Sequence, residues 1–214
     1  LGTLPTTIVP FALGAWDGDG AAFADSLGAV PAGMLLNALF LGLWRWVPGS
    51  LPQGWTFGAR LTAMTLLSLA AWTVAAVALV LGLDGARALG LPIVAVGLVT
   101  LLTMVTVGLF ATWTPRPAPR GTRRVGAGTL LLRGALAGVA IAVALGIKEV
   151  GGPVASGVAS VFPAIFVTTM VSLWLSQGEA VPAGAVGPMM LGSASVSGFA
   201  LLAAFVVPWL GGGP

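Results

Sequence analysis

LGLPIVAVGLVTLLTMVTVGLFATW, residues 89–113, runs for 25 residues without one Asp, Glu, Lys or Arg. Wound as a helix at about 1.5 Å per residue, such a stretch crosses a hydrocarbon core of about 30 Å. Lipid offers no partners to backbone N–H and C=O groups, so only helices and closed barrels can span it. The alternation of polar and apolar residues that marks a barrel strand is absent here. The stretch therefore reads as a transmembrane helix. Worked outward, the same reading gives seven visible spans, at 1–16 (partial), 22–46, 61–83, 89–113, 129–147, 153–176 and 182–210. The fold class expected is all-α, a polytopic transmembrane helix bundle.

Composition agrees with this. Of 214 residues, 57% are hydrophobic and 7% charged, against roughly 25% charged in an average soluble domain. Nine Lys and Arg face six Asp and Glu. The high isoelectric point thus comes from a handful of arginines rather than from a nucleic-acid-binding surface, and no nucleic-acid partner is expected. The chain has no Cys, His or Tyr, which removes thiol chemistry, imidazole metal sites, His general bases and phenolic donors. No enzyme activity, catalytic residue, metal or cofactor is expected. Residues 1–20 carry no basic start and contain Pro5 and Pro10, so they do not read as a signal peptide.

The stretch TPRPAPRGTRRVGAG at 114–128 cannot span and divides the chain into two membrane halves, 1–113 and 129–214. Counted over alternating spans, Arg45, Arg60, Arg116, Arg120, Arg123, Arg124 and Arg133 fall on one side, and Arg87 and Lys148 on the other. The excess places the Arg-rich loops in the cytoplasm. Asp17, Asp19, Asp25, Asp84 and Glu149 then lie outside, and Glu179 inside. Trp16, Trp44, Trp46, Trp113, Trp174 and Trp209 sit near span ends, where an amphipathic ring suits the interface. Trp72 is mid-span. The expected location is a bacterial inner (plasma) membrane, with the bilayer as partner and anionic lipid at the Arg-rich loop.

An internal repeat is also legible. LPTTIVPFALGAWDGDGAAFADSLGAVPAGM from Leu4 aligns with FPAIFVTTMVSLWLSQGEAVPAGAVGPMML from Phe162. Pro5 matches Pro163, Trp16 matches Trp174 and Gly20 matches Gly178; after a one-residue gap, Pro31 matches Pro188. Composition alone could align the glycines, but not so readily two prolines and a tryptophan in register. The first copy, at about 4–47, would run outward and the second inward, the inverted plan of many secondary transporters. Pro163 has a whole span before it and Pro5 only four residues, so a further upstream helix is expected in the parent protein.

Proline inside a span frees a carbonyl that neighbours must satisfy. Pro5, Pro31, Pro163 and Pro188 are therefore candidate substrate-binding positions, although each could equally be a packing kink. Ser156, Ser160, Thr168 and Ser172 fall on one helical face, with Thr169 beside it; Ser193 and Ser197 follow on the next span, and Thr6, Thr7 and Asn37 lie in the first copy. These groups could line a polar path. For the serines, close helix packing of the small-xxx-small kind, as in GALAG at 134–138, is the favoured reading. Asn37 is read the other way, because a mid-span amide needs a partner. The binding set expected is Pro5, Thr6, Thr7, Pro31, Asn37, Pro163, Thr168, Thr169, Ser172, Pro188 and Ser193. No ionisable residue lies deep in a span, which argues against proton-driven antiport. Asp17, Asp19 and Asp25 lack the EF-hand pattern and read as a solvated loop.

The run ASGVASVFPAIFVTTMVSLWLSQGEA at 155–180 resembles the small GlpM-like inner-membrane proteins, in which a Gly-containing lead into a mid-helix Phe-Pro is followed by a short polar turn. The resemblance covers about 80 residues at the C-terminal end. It implies a helical inner-membrane protein and carries over no catalytic residue. Taken together, the features give a small permease or transporter-like protein for a neutral or zwitterionic solute. The alternative is a non-transporting structural or assembly subunit of a larger membrane complex. A homo-oligomer or such complex partners are expected accordingly.

Overall fold

The structure, a computed structural model, describes residues 20–114, 116, 126–128, 131, 134–135, 138–139, 158 and 161–210. Among these every regular element is helical: α1 (Gly20–Trp46), α2 (Phe57–Ala88), α3 (Ile93–Trp113), α4 (Ala164–Gln177) and α5 (Ala180–Leu210), with a single 3₁₀ turn at Pro48–Ser50. Four of the five, α1, α2, α3 and α5, are long and apolar enough to cross a membrane. The expected spans 1–16 and 129–147 lie wholly or mostly outside the described residues.

Local chemistry sets the helix ends. Thr56 caps α2, its hydroxyl accepting from Ala59 N at 3.3 Å, so α2 begins four residues before the expected span at 61. Between α2 and α3 the chain turns at Gly90, whose φ of 75° suits only glycine. Pro92 then stands at the N-cap of α3, where its missing N–H costs nothing. The expected span 153–176 is not one continuous helix. Val158 is helical, the backbone turns at Val161, and α4 starts anew after Pro163. At 14 residues it is about 21 Å long and cannot cross the core alone.

α1 is the hub. It is the most buried span, with 78% of its apolar window enclosed. α5 lies antiparallel along it: Arg45 near the end of α1 bonds Ala183 at the start of α5, while Leu27 packs with Ala204 at the far ends. α3 runs parallel to α1 in the groove between α1 and α5, and it buries a stripe of mostly small residues, Ile93, Gly97, Met104, Gly108 and Ala111. Small side chains let the backbones close up, since lipid supplies no hydrophobic drive between helices. A Cβ at Gly187 of α5 would stand 3.0 Å from Ala111 C and 2.8 Å from Thr112 Oγ1. In contrast, Gly134 and Gly138 of GALAG have nothing within 4 Å of the Cβ place; the tight glycines among the described residues are on α1, α3 and α5. The opposite flanks of α2 and α3, with Val74, Leu81, Val99 and Leu102, are exposed and suit a lipid environment.

Two tryptophans depart from their expected interfacial places. Trp46 and Trp113 are exposed, as an interface requires, but Trp44 and Trp174 are fully buried. Their rings meet edge to face at 5.7 Å, flanked by Phe40 and Phe57. Aromatic packing of this kind holds α1, α2 and α4 together, and Trp44 Nε1 finds a partner in Ser68 Oγ at 3.1 Å.

Candidate functional site

Asn37 sits in the span Ser26–Trp46, roughly 13 Å along the helix from Trp46 and so near half-depth. It is buried. Its Nδ2 donates to Val161 O at 2.8 Å, in the gap where the chain breaks before Pro163, and lies 3.6 Å from Met34 Sδ. Its Oδ1 accepts from Trp72 Nε1 at 2.9 Å. One amide thus joins three segments, α1, α2 and the break. The Trp72 ring also meets Phe162 edge to face at 5.3 Å. Gly33, one turn before Asn37, makes room for this: a Cβ there would run into Val161 and stand 3.4 Å from Val158 Cα and O. A mid-span break, a glycine notch and an amide cap are one arrangement. Val161 O needs a donor once the helix stops, and Asn37 supplies it.

The other expected residues are distributed as follows. Pro5, Thr6 and Thr7, with Ser156 and Ser160, lie outside the described residues. Pro31 is buried in α1, its ring 3.4 Å from where a Gly97 Cβ would stand, whereas Pro188 is exposed on α5. Its neighbour Gly187 meets Thr112; Gly97 and Thr112 are roughly 22 Å apart along α3. Pro31 and Pro188 are therefore at different depths and are not brought together. Pro163 is buried at the N-cap of α4. Thr168 is buried and donates to Ala164 O at 3.0 Å; Ser172 donates to Thr168 O at 2.6 Å and Ser193 to Met189 O at 3.0 Å. Each hydroxyl bonds back into its own helix, the habit of Ser and Thr in spans. Thr169 is half-buried beside them.

A second polar cluster, at the Arg-rich end, lies outside the expected binding set. Arg60 forks onto Glu179, its Nε at 3.0 Å from Oε2 and its Nη2 on Oε1. The remaining donors reach Pro48 O and Pro52 O at 3.0 Å and Leu51 O at 3.1 Å. The guanidinium ties the loop after α1, the start of α2 and the turn between α4 and α5. Arg45, also buried, donates to Ala183 O at 3.3 Å, to Thr114 Oγ1 at 3.0 Å and to Thr114 O. The signal in sequence was present: two arginines inside helix boundaries, and one acid on the basic side. That Arg45, Arg60, Arg116 and Glu179 gather at one end agrees with the expected sidedness of the loops. Because the Glu179 side chain is 30% exposed, salt screens this pair. Glu179→Gln is expected to lower Tm in detergent by about 2–4 °C, less at high salt. Arg60→Lys, which cannot fork, should lower it further.

No protein-family model, curated protein or solved structure matches the chain.

Proposed function

We propose that the chain is a small permease of a bacterial inner membrane, built on an inverted repeat of which seven spans are visible, moving a neutral or zwitterionic solute. The observation that carries this reading is the break at Val161 to Pro163, at half-depth, capped by Asn37. Transporters place their sites at such discontinuous helices near the midplane. α1 and α5 belong to corresponding parts of the two repeat copies, and their antiparallel packing is the relation inverted copies would have. Resemblance of 155–180 to GlpM-like proteins supports the membrane assignment. In the conformation described, Asn37 and Trp72 hold the break shut; opening would exchange the Val161 carbonyl from Asn37 to a solute donor.

The test is uptake into proteoliposomes with a panel of labelled amino acids, amides and polyols. At least one solute should accumulate, and Asn37→Gln or Thr168→Val should reduce its rate roughly ten-fold if a bond made during passage is lost. No uptake across the panel, with both substitutions silent in cells, would overturn the reading. One observation favours the second reading, a non-transporting subunit of a membrane complex: the buried hydroxyls and the Asn37 amide are each used within the chain. Stoichiometric partners co-purifying in mild detergent would support that reading instead.

A further inference from the structure

Beside the Arg60–Glu179 pair lies a cavity of about 420 Å³ walled by Arg45, Arg116, Glu179, Gly49 and Ala183. Glu179 is the one acid at this end among the described residues, and both its oxygens are held by Arg60. Among the described residues, no carboxylate is left to pair the two other cations of the cavity, Arg45 and Arg116. Arg45 is 3% exposed, and its Nε has no partner among the described residues. A buried, charged donor without an acceptor is costly, and an anion would satisfy it.

The next residue, Trp46, leads into the bilayer. Its ring lies 5.8 Å from the Arg45 guanidinium carbon and also walls an apolar groove of about 290 Å³ with Leu35, Leu39, Gly42 and Val107. The α1 members of this groove recur at helical spacing on one face, so it rises along α1 toward the centre of the membrane. A cationic cavity at the interface that meets an apolar groove across one tryptophan has the shape of a lipid. We infer that this end of the bundle binds one anionic glycerophospholipid, with its phosphate against Arg45 and Arg116 and an acyl chain along the Leu35 to Trp46 face. Charge complementarity, and the contact of Arg45 in the cavity with Trp46 in the groove, commit the site to lipid rather than to a soluble phosphate. The inference stands independently of the transport reading.

The test is native mass spectrometry, with binding titrations, of the whole chain in nanodiscs of phosphatidylcholine with or without phosphatidylglycerol. Arg116→Gln removes one cation from an exposed position, and Gly49→Glu adds a carboxylate where a Cβ meets open space, so neither disturbs the fold; Leu39→Trp fills the groove. Arg87→Gln, at the far end of α2, removes the same charge elsewhere. Wild type and Arg87→Gln should retain phosphatidylglycerol at one per chain, and the other three variants should lose affinity by roughly ten-fold or more. Three results would overturn the inference: equal retention of both lipids, equal loss in Arg87→Gln, or binding of inorganic phosphate as tight as of the lipid and indifferent to Leu39→Trp.

Discussion

Asn37→Leu is expected to destabilise the bundle by about 2–4 kcal/mol. The change removes two hydrogen bonds and leaves both partners, Val161 O and Trp72 Nε1, buried without replacements, at roughly 1–3 kcal/mol for each orphaned group. Leucine is nearly the same size and more apolar, so a pure packing role for Asn37 would make the substitution neutral or stabilising. Trp72→Phe should cost less, about 1–3 kcal/mol, since it orphans a single group, Asn37 Oδ1, and keeps a ring against Phe162. Asn37→Asp should be worse than Asn37→Leu, because a carboxylate at half-depth costs about 3 kcal/mol by itself. Unfolding in mixed detergent micelles, followed by tryptophan fluorescence, gives the ordering.

Gly97→Val is the second large effect. A Cβ at Gly97 would stand 2.6 Å from Gly28 O, 2.9 Å from Leu201 Cδ2 and 3.4 Å from the Pro31 ring. The leucine can move, but the Gly28 carbonyl belongs to the backbone of the hub helix and cannot yield without shifting it. Overpacking of this kind costs typically about 1–3 kcal/mol for a small increment. Gly97→Ala should fall in that range and Gly97→Val at or beyond its upper end. Gly192→Ala provides the contrast: nothing lies within 4 Å of that Cβ place, so the gain in helix propensity, about 0.5–1 kcal/mol, goes unopposed. Opposite signs for two Gly→Ala changes within one bundle would separate close approach from propensity.

Much of this was legible in the chain itself. The spans at 22–46, 89–113 and 182–210 follow α1, α3 and α5 within a few residues, because an apolar run of that length with no charge except near its ends, as Asp25 and Arg45 are in the first, has only one outcome in lipid. Asn37 announced its need for a partner, and Trp72, the one mid-span tryptophan, turns out to be half of the answer. Pairing them was out of reach, since i and j lie 35 residues apart on helices whose relative height no local pattern encodes. The break at Pro163 was visible as a proline, but the glycine at 33 that receives it was one among 32. Trp44 and Trp174 were placed at the interface by a rule about rings near span ends; three-helix packing buried them instead. Arg45 and Arg60 counted toward topology, and their role as cross-ties emerged only once the loop carbonyls of Pro48, Leu51 and Pro52 were in position.

Before α4 the chain breaks at half-depth and lies there against the Gly33 to Asn37 face of α1. The absence of any cysteine gives a clean background for testing it in intact membranes. With Val161→Ala clearing the methyl that a Cβ at 33 would meet, and that Cβ placed 3.4 Å from Val158 Cα, Gly33→Cys paired with Val158→Cys falls within disulfide reach. Mild oxidation should close this pair in most of the protein, while Gly33→Cys paired with Val171→Cys, further down α4, should stay reduced. Failure of the 33 and 158 pair to close in protein that is otherwise folded, or closure of the 33 and 171 pair in its place, would contradict the account.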